Sequence, residues 1–238
     1  MSAVGDIRLS GPIAEIARTV HQGSAALHVD GVQALGKVPV DMEALGVDLY
    51  SMSGHKLYAP KGVGALYMRK GTRLAPIMYG GHHERDRRPG TENVPGIAAF
   101  GAAAELAARR MAEDTERLAM LRDRLENAVL DRIPGTGVNG SRWNRLPNTT
   151  NIYFDGIDGE AMVIALDLRG FAVSTGAACS SGALSPSHVL KAIGLSDLRA
   201  RASMRFSLGR ANTAAQVDSL VEAIGASVAH LRRISVHA

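Results

Sequence analysis

From Pro12 to Met68 the sequence switches repeatedly between helical and extended patterns, and each apolar run is short enough to be a strand. Ile13, Ile16, Ala17 and Val20 recur at the spacing of one helix face, with Pro12 placed for a first turn. Ala25 to Val29 reads as a strand, Asp41 to Leu45 as a short helix, and Val47 to Met52 and Val63 to Met68 as two further strands. Such alternation argues for an α/β architecture with a mostly parallel sheet. In open sheets of that kind, groups that contact a ligand gather beyond the carboxyl ends of the strands.

The stretch Ser53-Gly-His-Lys56, continuing to Gly62, directly follows the second of these strands. It sets Lys56 among small polar residues and glycine, on a turn that the strand would hold in place. A lysine that attacks a carbonyl needs that setting, near groups that bind a cofactor phosphate and lower the lysine pKa. Alone, a Gly-His-Lys turn in a basic protein is more often a solvated loop. Two other segments bear on the choice. Ala25-Ala-Leu-His-Val-Asp-Gly-Val-Gln33 is a short apolar strand ending in an acid, with an amide three residues on; Ser174-Thr-Gly-Ala-Ala-Cys-Ser-Ser-Gly182 carries the only cysteine.

A chain of 238 residues can build one large domain or two modest ones. Aromatic residues make up 4% and glycines number 26, which suits tight turns and close ligand approach better than a base-stacking surface. The formal charge of +4 is spread along the chain, and the densest basic stretch, Arg85 to Arg88, contains Asp86. That stretch reads either as a solvated loop or as a phosphate- or substrate-facing one. Nucleic-acid binding is not expected, nor is a metal site. One cysteine cannot form an internal disulfide, and no apolar run is long enough to span a bilayer, so a soluble cytoplasmic protein without membrane association is expected.

Val94 to Ile133 is rich in alanine, leucine, arginine and glutamate at helical spacing, and reads as two helices broken near Asp114. Pro134-Gly-Thr-Gly137 ends this region. Thr149 to Phe154, Phe171 to Ser174 and Ser203 to Leu208 read as strands. Gly159 to Leu168, a segment capped by Ser185-Pro186 and running to about Ile193, and Thr213 to Arg232 read as helices. The part from about residue 113 is therefore expected to be a smaller α+β domain.

Several motifs, in order along nearly the whole chain, resemble the cysteine desulfurases, pyridoxal-phosphate enzymes of the aminotransferase class V group. They are His28-Val-Asp-Gly-Val-Gln33, Ser53-Gly-His-Lys56, Arg88-Pro-Gly-Thr-Glu-Asn93, Ala178-Cys-Ser-Ser-Gly182 and Arg205-Phe-Ser-Leu-Gly-Arg210. The resemblance implies a PLP-dependent transferase fold of type I. Residues 1–112 would be the C-terminal part of the large cofactor domain, and 113–238 the small C-terminal domain with the catalytic-cysteine loop.

The same resemblance implies a role for each matching residue. Lys56 would hold the aldehyde of pyridoxal 5'-phosphate as a Schiff base and serve as the base at the substrate Cα. Asp30 would pair with the pyridinium nitrogen and Gln33 with the phenolic oxygen, while Ser53 and His55 offer donors to the phosphate. Thr91 would reach the cofactor phosphate of the partner subunit in a homodimer. Arg205 would clamp the carboxylate of L-cysteine through its fork of donors, a salt bridge being the alternative use. Cys179 would take the substrate sulfur as a persulfide, leaving L-alanine, and pass it to a sulfur-acceptor or scaffold protein for iron-sulfur cluster assembly or another pathway. A lone cysteine is often an inert buried hydrophobe, but the small, polar surroundings of Cys179 suit a thiolate on a loop. His28 reads as a packed or surface histidine.

Family members carry a long N-terminal region ahead of the part matched here, with a phosphate-binding loop, a histidine stacked on the pyridine ring and several central strands. A chain lacking that region is expected to be an N-terminally truncated form with open strand edges and uncovered apolar faces. It would need a complementing N-terminal polypeptide, or serve as an inactive fragment or interaction module that dimerises or binds a sulfur acceptor. A selenocysteine lyase or another class V enzyme is a further alternative.

Overall fold

The computed structural model describes residues 11–175 and 186–235. These divide into two compact units, one running to Met111 and the other starting at Ala112.

The first unit opens with α1 (Ile13–Val20), which buries Ile13 and Ala17. Then come β1 (His28–Asp30), α2 (Met42–Leu45), β2 (Leu49–Ser53), a 3-10 turn over Gly54–Leu57, and β3 (Gly64–Met68). β1 and β2 are parallel, while β3 returns antiparallel to β2, so the sheet is mixed, with β1 and β3 at its edges. Side chains alternate between the two faces of a strand. Val29 and Tyr50 therefore turn into a core with Ile13 and Val47, while His28 and Asp30 on the other face are exposed. Local chemistry sets the ends of α2: Asp41 Oδ1 accepts from the backbone N–H of Glu43 (2.9 Å) and Ala44 (3.0 Å), and Gly46 closes it at φ 69°.

α3 (Val94–Arg132) is one helix of 39 residues. Asn93 Oδ1 accepts from Gly96 N (3.1 Å) at its start, and Pro134 lies just beyond its end. The break expected near Asp114 does not occur. No glycine or proline lies between Gly101 and Pro134, and the charges at that point pair along the helix, with Arg117 Nη2 3.7 Å from Asp114 Oδ1.

The second unit continues with β4 (Thr136–Val138), β5 (Thr149–Phe154), α4 (Gly159–Asp167), α5 (His188–Ala192), α6 (Asp197–Arg201), β6 (Ser203–Ser207) and α7 (Ala214–Ser235). Its sheet is antiparallel in the order β4-β5-β6. One face packs Ile152, Phe154, Met204 and Phe206 against Leu125 and Val129 of α3, Met162 and Leu166 of α4, and Ile224 and Val228 of α7. Phe154 and Phe206 meet edge to face, with ring centroids 6.4 Å apart. Each such side chain contributes about 1.5–3 kcal/mol by leaving water. A reciprocal cap starts α7: Thr213 Oγ1 accepts from Gln216 N (3.3 Å), and Gln216 Oε1 accepts from Thr213 N (3.1 Å). The strand expected over Phe171–Ser174 reduces to a single bridge, in which Ser174 pairs with Arg205. Phe171 and Val173 pack on the core instead. The helix expected from Ser185-Pro186 is capped two residues later, where Ser187 Oγ accepts from Leu190 N (3.3 Å).

Candidate active site

Because β1 and β2 are parallel and adjacent, their carboxyl ends open on the same edge of the sheet. Asp30, the last residue of β1, stands opposite Ser51, and Gly31 N donates to Ser51 O at 3.1 Å. Ser53 ends β2, and the 3-10 turn that follows carries His55 and Lys56. The turn after β1 carries Gln33 and is closed by Ala34 N donating to Gly31 O (3.0 Å) and Lys37 N donating to Ala34 O (3.0 Å). The two turns pack on each other. At Gly36, which has φ +72°, a Cβ would lie 2.4 Å from Leu57 Cδ2, so only glycine lets the Gln33 turn sit against the turn that carries Lys56. Asp30, Gln33, Ser53, His55 and Lys56 are thereby gathered on one rim.

Lys56 is half-buried between the buried residues Gly54 and Leu57. Its turn is fixed at both ends, by Gly54 N donating to Val63 O (3.0 Å) and Ala59 N donating to Gly54 O (3.1 Å). Ser53 Oγ and His55 Nδ1 are 2.8 Å apart, so the hydroxyl and the imidazole act as one hydrogen-bonded pair. Asp30 is exposed, and its Oδ1 accepts from Val32 N at 3.1 Å, which orients the carboxylate on its own turn. Beneath it lies Tyr50, whose phenol is pushed up to about 12, first by burial and then by the negative charge of Asp30.

The remaining expected residues stand elsewhere. Thr91 is exposed in the loop before α3, where its carbonyl and that of Gly90 accept from Arg88 Nη1 at 3.3 and 2.8 Å. Arg205 is half-buried at the centre of β6 in the second unit, opposite Asn151 of β5. Its backbone is bonded to Ser174 in both directions. Cys179 lies outside the described residues. His28 is exposed, with Nε2 2.7 Å from Ser51 Oγ. Among the described residues no group of three or more histidine, cysteine or acidic side chains is arranged to hold a metal.

A family model described as aminotransferase class-V matches residues 8–220. The chain belongs to the class-V aminotransferases. A cysteine desulfurase of Gluconacetobacter diazotrophicus is 48% identical over 224 residues, covering 94% of this chain and 56% of that protein. The cysteine desulfurase IscS of Methanosarcina thermophila is 45% identical over 235 residues, 99% of this chain and 58% of that one. Among solved structures, the NifS-like protein of Rickettsia africae superposes with a TM-score of 0.82 at 34% identity, covering 90% of this chain and 57% of that one. The chain thus spans a little over half the length of the curated relatives it matches. The partial α/β, type I architecture expected from the sequence agrees with these structural neighbours.

One feature of the site was not singled out by sequence reasoning. Tyr50 looks like an ordinary strand residue, and only the fold puts its ring below Asp30.

Proposed function

We propose that the whole protein is a PLP-dependent cysteine desulfurase, converting L-cysteine to L-alanine and delivering the sulfur to an iron-sulfur cluster or other acceptor pathway. The observation that carries this reading is the gathering of Asp30, Gln33, Ser53, His55 and Lys56 at the carboxyl ends of two parallel strands. Residues up to about 112 then correspond to part of the large cofactor domain, and those beyond to the small domain.

The donor set on this rim fits pyridoxal 5'-phosphate. An amine suits its aldehyde, a carboxylate its ring N–H, an amide its phenolic oxygen, and a hydroxyl-imidazole pair its phosphate. When bound, the cofactor supplies an electron sink for the bonds at the substrate Cα. Lys56 would hold the cofactor through its aldehyde and would accept the proton that leaves the substrate Cα. Asp30 would keep a proton on the ring nitrogen, and Gln33 would orient the ring through its amide. Arg205 binds the substrate carboxylate in bidentate fashion. The Cys179 thiolate bonds to the substrate sulfur as the Cβ–S bond breaks; that bond's electron pair stays on carbon, which takes a proton to give alanine.

A homodimer accords with this reading. Ile77 and Tyr79 are 90% and 86% exposed in the segment leading to Thr91, an apolar surface that a second copy would cover. Thr91 then serves the partner's phosphate. Among the described residues no helix is long and apolar enough to cross a membrane, and a cytoplasmic location is proposed.

Spectral titration with pyridoxal 5'-phosphate tests the assignment. A visible absorbance band should form and be lost in Lys56→Ala, and sulfide release from L-cysteine should be lost in Cys179→Ala. Folded protein that gives no Lys56-dependent band overturns the lysine assignment. Sulfide release that survives in Cys179→Ala overturns the persulfide role.

A further inference from the structure

We infer that Tyr50 is a positioning residue for the cofactor: its ring, buried beneath the end of β1, sets where the Asp30 carboxylate stands to meet the ring nitrogen. This rests on the reading of Asp30 proposed above.

Asp30 is exposed, so its place depends on the backbone beneath it more than on packing of its own side chain. Sideways, that backbone is tied to β2, where Asp30 stands opposite Ser51 and Gly31 N donates to Ser51 O at 3.1 Å. From below it is met by Tyr50. In register Tyr50 stands opposite Val29, and like Val29 it turns into the core, away from the face that carries Asp30. Its ring does not stay under Val29. It reaches forward to Gly31, where a Cβ would lie within 2.2 Å of Cζ, Cε1 and the hydroxyl. Val29 to Gly31 is about 6.6 Å of strand, so the tyrosine spans the underside of Asp30.

The ring is fully buried in the cluster with Ile13, Val29 and Val47, and close packing holds it there. A fixed ring against bare glycine backbone acts as a rest that stops the peptide between Asp30 and Gly31 from sinking into the sheet. The closeness is felt electrostatically as well: burial, and then the Asp30 charge, push the phenol up to about 12. The phenol therefore keeps its proton at neutral pH and puts no second negative charge under the carboxylate. A smaller side chain at this position leaves Gly31 unsupported, and Asp30 moves with it. A charge-assisted hydrogen bond to the ring nitrogen depends on that placement.

Fluorescence titration tests this, comparing pyridoxal 5'-phosphate with its deaza analogue, in which a C–H replaces the ring nitrogen. The preference for the first reports the Asp30 contact, which the analogue cannot make. Tyr50→Leu should lower that preference about tenfold, whereas Tyr50→Phe, which keeps the ring, should retain it to within about twofold. Gly31→Ala should lower it too, and adding Tyr50→Leu to Gly31→Ala should restore part of it, because the vacated ring volume accepts the new methyl. Tyr50→Met, which fills the core with a flexible chain, decides the matter if Tyr50→Leu does not fold. Equal weakening of both cofactors would mark a merely structural role and overturn the inference. If Asp30→Asn abolishes the preference while Tyr50→Leu and Tyr50→Met retain it, this inference falls and the Asp30 reading stands. If Asp30→Asn retains the preference, or the unaltered protein has none, both fall.

Discussion

The Tyr50 ring occupies the space where a side chain at Gly31 would begin: a Cβ there would lie 1.8 Å from Tyr50 Cζ and 2.2 Å from its hydroxyl. Tyr50 is fully buried and cannot swing aside, so the glycine after Asp30 is required by packing. Gly31→Ala should destabilise the protein by about 1–3 kcal/mol or more through overpacking. Urea denaturation checks this, and Tyr50→Leu in the same chain should recover part of the loss by vacating the ring's volume. Unaltered stability in Gly31→Ala would refute the close approach.

The same tyrosine sets an alkaline limit. Its phenol is pushed up to about 12 by burial, with the Asp30 charge adding to it, whereas in the unfolded chain it ionises near 10. Between those values the folded state keeps a proton that the unfolded state has lost. The stabilisation is therefore complete below about pH 10 and is lost as pH rises toward about 12. Tyr50→Phe should flatten the decline of the unfolding midpoint across that window, measured by circular dichroism. An identical decline in the variant would count against the assignment.

How legible each feature was depended on the range of the physics behind it. α2 and β2, and the lysine turn between β2 and β3, are set by local signals, namely the Asp41 cap, Gly46 and the short apolar run, and they were readable to within two residues. β4 was not, because Thr136-Gly-Val138 is glycine-containing and becomes a strand only by pairing with β5. α6 was missed because five residues capped by Ser196 leave almost no periodicity. At the site, residue types and order pointed to Asp30, Gln33 and Lys56, but the contact between their turns rests on Gly36 meeting Leu57, 21 residues away. The hydrogen-bonded chain from Asn151 through Asn139 to Ser203 joins three strands or their flanks, and no pattern along one segment carries it.

The pairing of Ser53 with His55 makes a graded prediction about the phosphate. With 2.8 Å between Ser53 Oγ and His55 Nδ1, the hydroxyl holds the imidazole in place as well as offering its own donor. Ser53→Ala should weaken binding of pyridoxal 5'-phosphate about tenfold, and His55→Ala added to it should cost less than it does alone. Fluorescence titration of the four proteins gives the cycle. Fully additive losses would show that the two side chains act independently.

Glu126 anchors the loop before β5 to α3, and its carboxylate is wholly buried. It accepts from Arg145 through two bonds of 2.7 and 3.1 Å, from Arg142 Nε at 2.8 Å and from Thr150 Oγ1 at 2.7 Å. Burial alone raises the carboxyl pKa, but the hydrogen bonds from Arg145 and Thr150, with the charges of Arg145 and Arg142, outweigh it and hold it below its ordinary 4.5. A depressed carboxylate stabilises the fold above its unfolded pKa, and that stabilisation is lost as pH falls through the folded one. Glu126→Gln leaves the buried Arg145 only the half-exposed Asp123, 3.6 Å away, as a counter-charge and should cost about 3 kcal/mol at neutral pH. Replacing both residues, Glu126→Leu with Arg145→Met, should cost much less, since no isolated charge remains. Urea titrations at several pH values should show the gap between the native protein and Glu126→Gln narrowing below about pH 4.5. A gap that stays constant into acid would show that packing, not the charge of Glu126, holds this loop.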